Sequence, residues 1–312
     1  MQPSTMEKAT RPTANVGLEI WWKLLRPHTL TASFAPVAIG STLALNYAPF
    51  HLNLFLIMLI ASMLIQAATN MLNEYYDYVR GLDNEYSVGI SGTIVRDGIT
   101  PKAVLRSAQA SFMVAFSLGL YLSFASSWWL FLCGLIAVSI GYLYSGGPYP
   151  LCATPFGELA AGTCMGLVII LISFFIQTRT ISFICVLISL PTSILVGAIL
   201  MSNNIRDLEN DKRHGRKTLA IMMGRKLATQ ALTAMFITAY IGVILLVIFS
   251  MISPWILLAL VSIPKALQAI KGFRQNTTHP HELMPAMVST AQTNTIFGLA
   301  VSLGLLLQYL RI

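Results

Sequence analysis

The chain has 312 residues, 55% of them apolar and 10% charged, with a mean hydropathy of +0.70. Soluble domains carry about 25% charged residues, so this balance excludes a water-soluble globule. The net charge of +8 comes from 20 Lys and Arg against 12 Asp and Glu; the excess sits in short segments between long apolar stretches, which excludes a nucleic-acid surface.

Residues 1–28 are mixed and polar, without the short apolar core and small-residue cleavage site of a signal peptide, and read as a cytoplasmic N-terminal segment that stays on the protein. The remainder, 29–312, reads as a single all-α transmembrane domain. A spanning helix needs about 20 mostly apolar residues, because it rises about 1.5 Å per residue through about 30 Å of hydrocarbon. That rule predicts nine spans, near 29–48, 53–76, 104–124, 128–146, 157–177, 181–203, 228–249, 254–271 and 287–309. Ala125-Ser126-Ser127 divides the third from the fourth, and Ser253-Pro254 divides the seventh from the eighth. Cys133, Cys152, Cys164 and Cys185 lie in or beside apolar segments without metal-site spacing and read as packing residues.

Lys and Arg retained in short loops mark the cytoplasmic side. Eighteen of the twenty fall in the N-terminus and in the loops after spans two, six and eight, leaving Arg179 and Arg311 for the other face. The N-terminus is therefore expected in the cytoplasm and the C-terminus outside.

The acids are more concentrated still. Glu74, Asp77, Asp83, Glu85 and Asp97 follow span two, and Asp207, Glu209 and Asp211 follow span six, eight of the twelve in two segments. Each segment contains Asn-x-x-x-Asp, Asn73 to Asp77 and Asn203 to Asp207. Spans two and six run in the same direction, so both segments lie on one face as a degenerate internal repeat. Spacing of four puts Asn73 with Asp77, and Asp207 with Asp211, on one helical face. Like charges at a helix C-terminus, where the dipole is already negative, are disfavoured without a compensating cation. Carboxylate and amide oxygens without His or Cys favour Mg²⁺, which takes one or two carboxylates and completes its shell with water and substrate phosphate. Interleaved Arg80, Lys102, Arg206, Lys212, Arg213 and Lys217 offer grips for an anion. Metal-binding acids and cations at a membrane face imply a diphosphate substrate with an apolar tail. A secondary transporter is the competing class, but its ionisable residues belong near the midplane, whereas these clusters lie past span ends.

Asn70-x-x-Asn73-Glu-Tyr-Tyr-Asp77 with Gly81-x-Asp83, then Asn204-Ile-Arg206-Asp207-Leu-Glu-Asn-Asp211 followed by Gly215-Arg-Lys217-Thr218-Leu219, closely resembles the UbiA superfamily of intramembrane prenyltransferases. Leu25-Arg-Pro-His-Thr-Leu30, Gly92-Thr-Ile-Val-Arg96-Asp-Gly98 and Tyr144-Ser-Gly-Gly-Pro-Tyr-Pro150 with Thr154-Pro-Phe-Gly-Glu158 resemble its menaquinone branch, the 1,4-dihydroxy-2-naphthoate prenyltransferases. This chain departs from the family at Glu74, where Asp is usual, and at Gly81, where the third acid is usual; Asp83 follows two residues later.

The resemblance implies a helical bundle around a central cavity open to the bilayer, with two Mg²⁺ ions held by Asn73, Asp77, Asp83, Asp207 and Asp211. It implies transfer of a polyprenyl group from polyprenyl diphosphate to 1,4-dihydroxy-2-naphthoate with loss of CO₂, giving demethylmenaquinone in the cell membrane. Other acceptors within the superfamily are 4-hydroxybenzoate, homogentisate and a haem vinyl group. On this reading Tyr75, Tyr76, Tyr142, Tyr144 and Tyr149 offer ring faces to an allylic cation or the acceptor, with Asn70 beside them. Glu158, an acid in a span's first turn, either orients or deprotonates an acceptor hydroxyl or is an N-terminal acid stabilised by the helix dipole, and His28 with Arg26-Pro27 either marks the acceptor's entrance or is simply solvated at the interface.

Overall fold

The computed structural model describes residues 17–83, 92–275 and 277–311. Lys8, Arg11 and Glu85, used in the charge and acid counts, lie outside the described residues, as does the side chain of His28. Among the described residues every regular element is helical. In chain order these are α1 (Leu18–Leu25), α2 (Pro27–Ala44), α3 (Leu52–Val79), α4 (Thr93–Arg96), α5 (Pro101–Ala125) and α6 (Trp129–Ser145). After a tight turn at Leu151–Ala153 come α7 (Gly157–Thr178), α8 (Phe183–Arg206), α9 (Leu208–Arg213), α10 (Leu219–Ile248), α11 (Pro254–Phe273) and α12 (Pro280–Leu310).

Each expected span falls on one of these helices, but the count by length differs. Seven helices, α3, α5, α7, α8, α10, α11 and α12, are long and apolar enough to cross a membrane. The first and fourth expected spans fall on the shorter apolar helices Thr29–Ala44 and Trp129–Ser145. α2 itself runs from Pro27, two residues before the expected start, with Arg26 in the left-handed region at φ 52° ahead of it, to Ala44; Gly146, extended at ψ 172°, ends α6 at the expected boundary.

Inside lipid, apolar residues gain nothing by leaving a surface that is equally apolar, so helices associate through close packing of small residues. The junction of α7 and α8 shows this. A Cβ on Gly166 would lie 2.3 Å from the Cα of Ser193, and one on Gly162 would lie 2.6 Å from the Ser193 carbonyl oxygen. At that contact α7 loosens into a π-helical stretch, Gly162–Val168. The largest core cluster runs through α2, α7, α8, α10, α11 and α12 and includes Ile39, Phe174, Leu195, Phe236 and Phe297. A second, of Leu24, Met71, Leu72, Ile94 and Val104, anchors the ends of α1, α3, α4 and α5 where the acids emerge.

Candidate active site

The first acidic segment is shaped by a helix end. Gly81 adopts φ 71°, a conformation suited to a residue without Cβ. The Leu82 and Asp83 amides then donate to the Asp77 carbonyl at 2.8 and 3.3 Å, closing a Schellman-type C-cap. The chain doubles back, and Asp83 comes to line the same cavity as Asp77 despite its displaced spacing. The second segment starts where α8 passes into α9 at Asp207, with the Asp211 amide donating to the Asp207 carbonyl at 2.9 Å. Gly215, at φ 75°, turns the chain so that the Arg216 amide reaches the Asp211 carbonyl at 3.1 Å.

Side chains then join the two segments. Arg216 donates through Nη1 to Asp211 Oδ1 at 3.1 Å and through Nη2 to Asp77 Oδ1, a fork that bridges both acidic motifs. Arg206 grips Asp207 bidentately, Nε to Oδ1 at 2.8 Å and Nη2 to Oδ2 at 2.5 Å. Asp83 Oδ2 is buried without a partner. Burial, reinforced by the charge of Asp77, pushes the Asp83 carboxyl up to about 6. Burial likewise raises Asp211 to about 6 against the pull of Arg216.

These groups form the polar end of a cavity of about 850 Å³. Asn70, Asn73, Asn203, Asn204 and Asn210 share that end with Arg26, Arg206, Arg213 and Arg216. Its far end is apolar, lined by Met58, Leu122, Leu130, Phe131, Ile172 and Ile176. Phe116 and Ile136, exposed on α5 and α6, also line it, so the apolar part reaches the lipid-facing surface between these helices. A single chamber with charged oxygens at one end and hydrocarbon at the other suits an amphipathic substrate.

The donor set fits Mg²⁺: it is all oxygen, buried Asp83 Oδ2 lacks a partner, and two arginines already answer its demand for cations. Among the described residues no three acidic, His or Cys groups converge tightly enough to cage an ion alone. Mg²⁺ does not require that, because water and phosphate oxygens supply much of its shell.

Several residues singled out from sequence stand away from this chamber. Arg80 donates to the Gly147 carbonyl at 3.0 Å and lies over the Tyr76 ring, bracing the loop after α6 rather than facing the acids. Lys102, Lys212 and Lys217 are exposed and do not line the cavity. Of the tyrosines, Tyr144 lines it; Tyr76 and Tyr142 hydrogen-bond each other at 3.1 Å outside it, and Tyr149 is 88% exposed. Tyr75 packs edge-on against Tyr76. Asn70 does line the cavity, but its amide also donates to Leu25 O and Thr29 Oγ1, pinning the start of α2 to α3. Glu158 is buried one residue behind the wall: its Oε1 accepts from Asn204 Nδ2 at 2.8 Å, and Asn204, not Glu158, faces the chamber. Glu74 points away from Asp77 and accepts from Thr93 Oγ1 at 2.5 Å and the Ile94 amide at 3.1 Å, tying the Gly92–Gly98 segment to α3.

Two arginines gain a place in the site. Arg26 donates to Asn73 Oδ1 at 3.4 Å while its Nε and Nη2 are buried without partners. Arg216 sits among the loop cations, and its one sequence signal is Gly215, four residues after Asp211, whose turn returns it to the acids.

Comparison with known proteins gives the same outline. The model of the UbiA prenyltransferase family matches residues 33–307. A 1,4-dihydroxy-2-naphthoate octaprenyltransferase of Bacillus subtilis is 54% identical over 310 residues, covering 99% of both chains. The protein of that name in Mycobacterium tuberculosis is 30% identical, covering 90% of this chain and 95% of its own. A solved UbiA homolog from Archaeoglobus fulgidus bound to GPP and Mg²⁺ shares the fold at a TM-score of 0.64 and 17% identity, over 91% of this chain and 99% of its own.

Proposed function

The chain belongs to the UbiA prenyltransferase family, and from that premise we propose that it transfers a polyprenyl group from polyprenyl diphosphate to 1,4-dihydroxy-2-naphthoate. The observation that carries this reading is the convergence of both acidic motifs at the polar end of one chamber whose other end is hydrocarbon. The acceptor follows from the near full-length likeness to the Bacillus subtilis enzyme. The protein is a multi-pass membrane enzyme, and residues 29–312 act as one catalytic domain of the cell membrane, with the N-terminus in the cytoplasm and the C-terminus outside.

Asn73, Asp77, Asp83, Asp207 and Asp211 would hold two Mg²⁺ ions. Bound there, Mg²⁺ neutralises the diphosphate and stabilises it as a leaving group. Arg26 presents two unpartnered N–H groups to the anion. Tyr144, which lines the chamber, would offer a ring face to the positive charge that develops on the allylic carbon. The apolar walls exclude water, so the cation meets the naphthalene ring rather than hydroxide. The carbon–oxygen bond to the diphosphate breaks, a carbon–carbon bond to the ring forms, and the acceptor's carboxylate leaves as CO₂, giving the hydroquinone form of demethylmenaquinone, with no change of oxidation state. Asn204, held by Glu158, is the wall residue placed to orient a polar group of the acceptor.

Purified protein incubated with Mg²⁺, octaprenyl diphosphate and either 1,4-dihydroxy-2-naphthoate or 4-hydroxybenzoate tests the reading by mass spectrometry. Product from the naphthoate is expected; product from the benzoate alone would overturn the acceptor assignment.

A further inference from the structure

Arg216 occupies an unusual place for a side chain that follows the second acidic motif. It lies 139 residues from Asp77, yet its guanidinium is shared between Asp77 of α3 and Asp211 of α9. All three groups are largely buried, with side-chain exposures of 15% for Arg216, 13% for Asp77 and 5% for Asp211. Buried carboxylates facing each other need a cation between them, and a planar guanidinium satisfies two at once. Arg206 neutralises Asp207 in the same way. Asp83 Oδ2 and Arg26 Nε and Nη2 are left as buried groups without hydrogen-bond partners in the site.

The carboxylates that Arg216 holds through their Oδ1 atoms are two of those the metal would need. A divalent ion and a guanidinium cannot both sit against Asp77 and Asp211 without strong mutual repulsion. Arg216 stands on a turn after Gly215, its amide bonded to the Asp211 carbonyl, and its side chain lines the chamber that would receive the diphosphate. Once released it requires a new anion, since an unpaired buried guanidinium is costly. A diphosphate in the chamber supplies one in the bidentate geometry that arginine favours.

Resting on the metal and diphosphate reading above, we propose that Arg216 is a resident counter-cation of the acidic pair that is exchanged for metal. It holds the two motifs together before substrate arrives, weakens binding of metal alone, and passes to the diphosphate when both arrive. Metal and diphosphate therefore bind synergistically, and by reciprocity each strengthens the other.

The test uses full-length protein in nanodiscs and Mn²⁺ alone, with bound and free ion separated by electron paramagnetic resonance. Removing the competitor in Arg216→Gln should tighten Mn²⁺ binding at least about fivefold, the lower bound for coupled sites. In the same samples, binding of radiolabelled inorganic diphosphate with Mg²⁺ should weaken by a similar factor. Arg216→Lys keeps the charge but cannot fork, and should show a smaller tightening; it carries the test if the Gln variant does not fold. Unchanged or weaker Mn²⁺ binding in a variant that unfolds cooperatively would overturn the exchange while leaving prenyl transfer by the wild type intact. Wild-type-like Mn²⁺ binding by the doubly substituted Asp77→Asn, Asp211→Asn protein would remove the metal site itself, and the exchange with it.

Discussion

Asp83 stands two residues beyond the position of the family's third acid. The Schellman-type turn at Gly81 returns it to the cavity, where its Oδ2 has no partner. Asp83→Asn is therefore expected to cut turnover more than about 100-fold, beyond the usual effect of removing an outer-shell partner of a metal site, with insertion unchanged. A steady-state assay across Mg²⁺ concentrations checks this; near-normal turnover at saturating Mg²⁺ would remove Asp83 from the metal site. Asp77, Asp207 and Asp211 were legible because helical spacing fixes which side chains share a face. Arg216 was not, since a loop has no period and its return to Asp211 depends on one glycine torsion. Lys102, Lys212, Lys217 and Tyr149 misled for the reverse reason: cations and aromatic residues at a membrane boundary are common whether or not they face a site.

Helix α7 shows what patterning conveys about an element and what it omits. Its apolar run placed a span at 157–177, and the helix covers Gly157–Thr178. The π-helical stretch at Gly162–Val168 leaves no hydropathy signature, because it comes from the contact of Gly162 and Gly166 with Ser193 on α8. π-Bulges often accompany functional sites, and here Cys164, Met165 and Val168 of that stretch line the chamber. One turn earlier the Glu158–Asn204 hydrogen bond joins α7 to α8. Glu158→Gln keeps an acceptor for Asn204 and should leave the KM for octaprenyl diphosphate unchanged, with less than about a tenfold fall in kcat, below the 10²- to 10⁴-fold typical of a general base. Glu158→Leu strands a buried amide, at a cost of about 1–3 kcal/mol, and should raise the KM for the naphthoate more than that for the diphosphate. A loss of 10²-fold or more in the Gln variant would make Glu158 a base after all.

Across the molecule, each of the nine expected spans falls on an apolar helix among the described residues, seven of them of 20 residues or more and two, α2 and α6, of 18 and 17 residues. The acidic segments that Arg216 joins are separated by α5, α6, α7 and α8, and only an even number of crossings leaves both on one face, so the short α6 crosses with the long helices and the expected nine leave the termini on opposite faces. Arg179, one of two cations assigned to the outer face, is occupied in donating to the carbonyls of Ala125 and Ser126 at the end of α5. It serves there as a cap. A cysteine replacing Arg213 should react with a membrane-impermeant thiol reagent from the cytoplasmic side, and one replacing Gln308 from outside; labelling of both from one face would refute the topology. Decarboxylative prenyl transfer is tested by following CO₂ from carboxyl-labelled 1,4-dihydroxy-2-naphthoate together with the prenylated product. Labelled CO₂ should be released in equal amount to product, only when Mg²⁺ and octaprenyl diphosphate are both present, and be abolished in Asp77→Ala. Prenylated product that retains the label, or no product from the naphthoate at all, would contradict it.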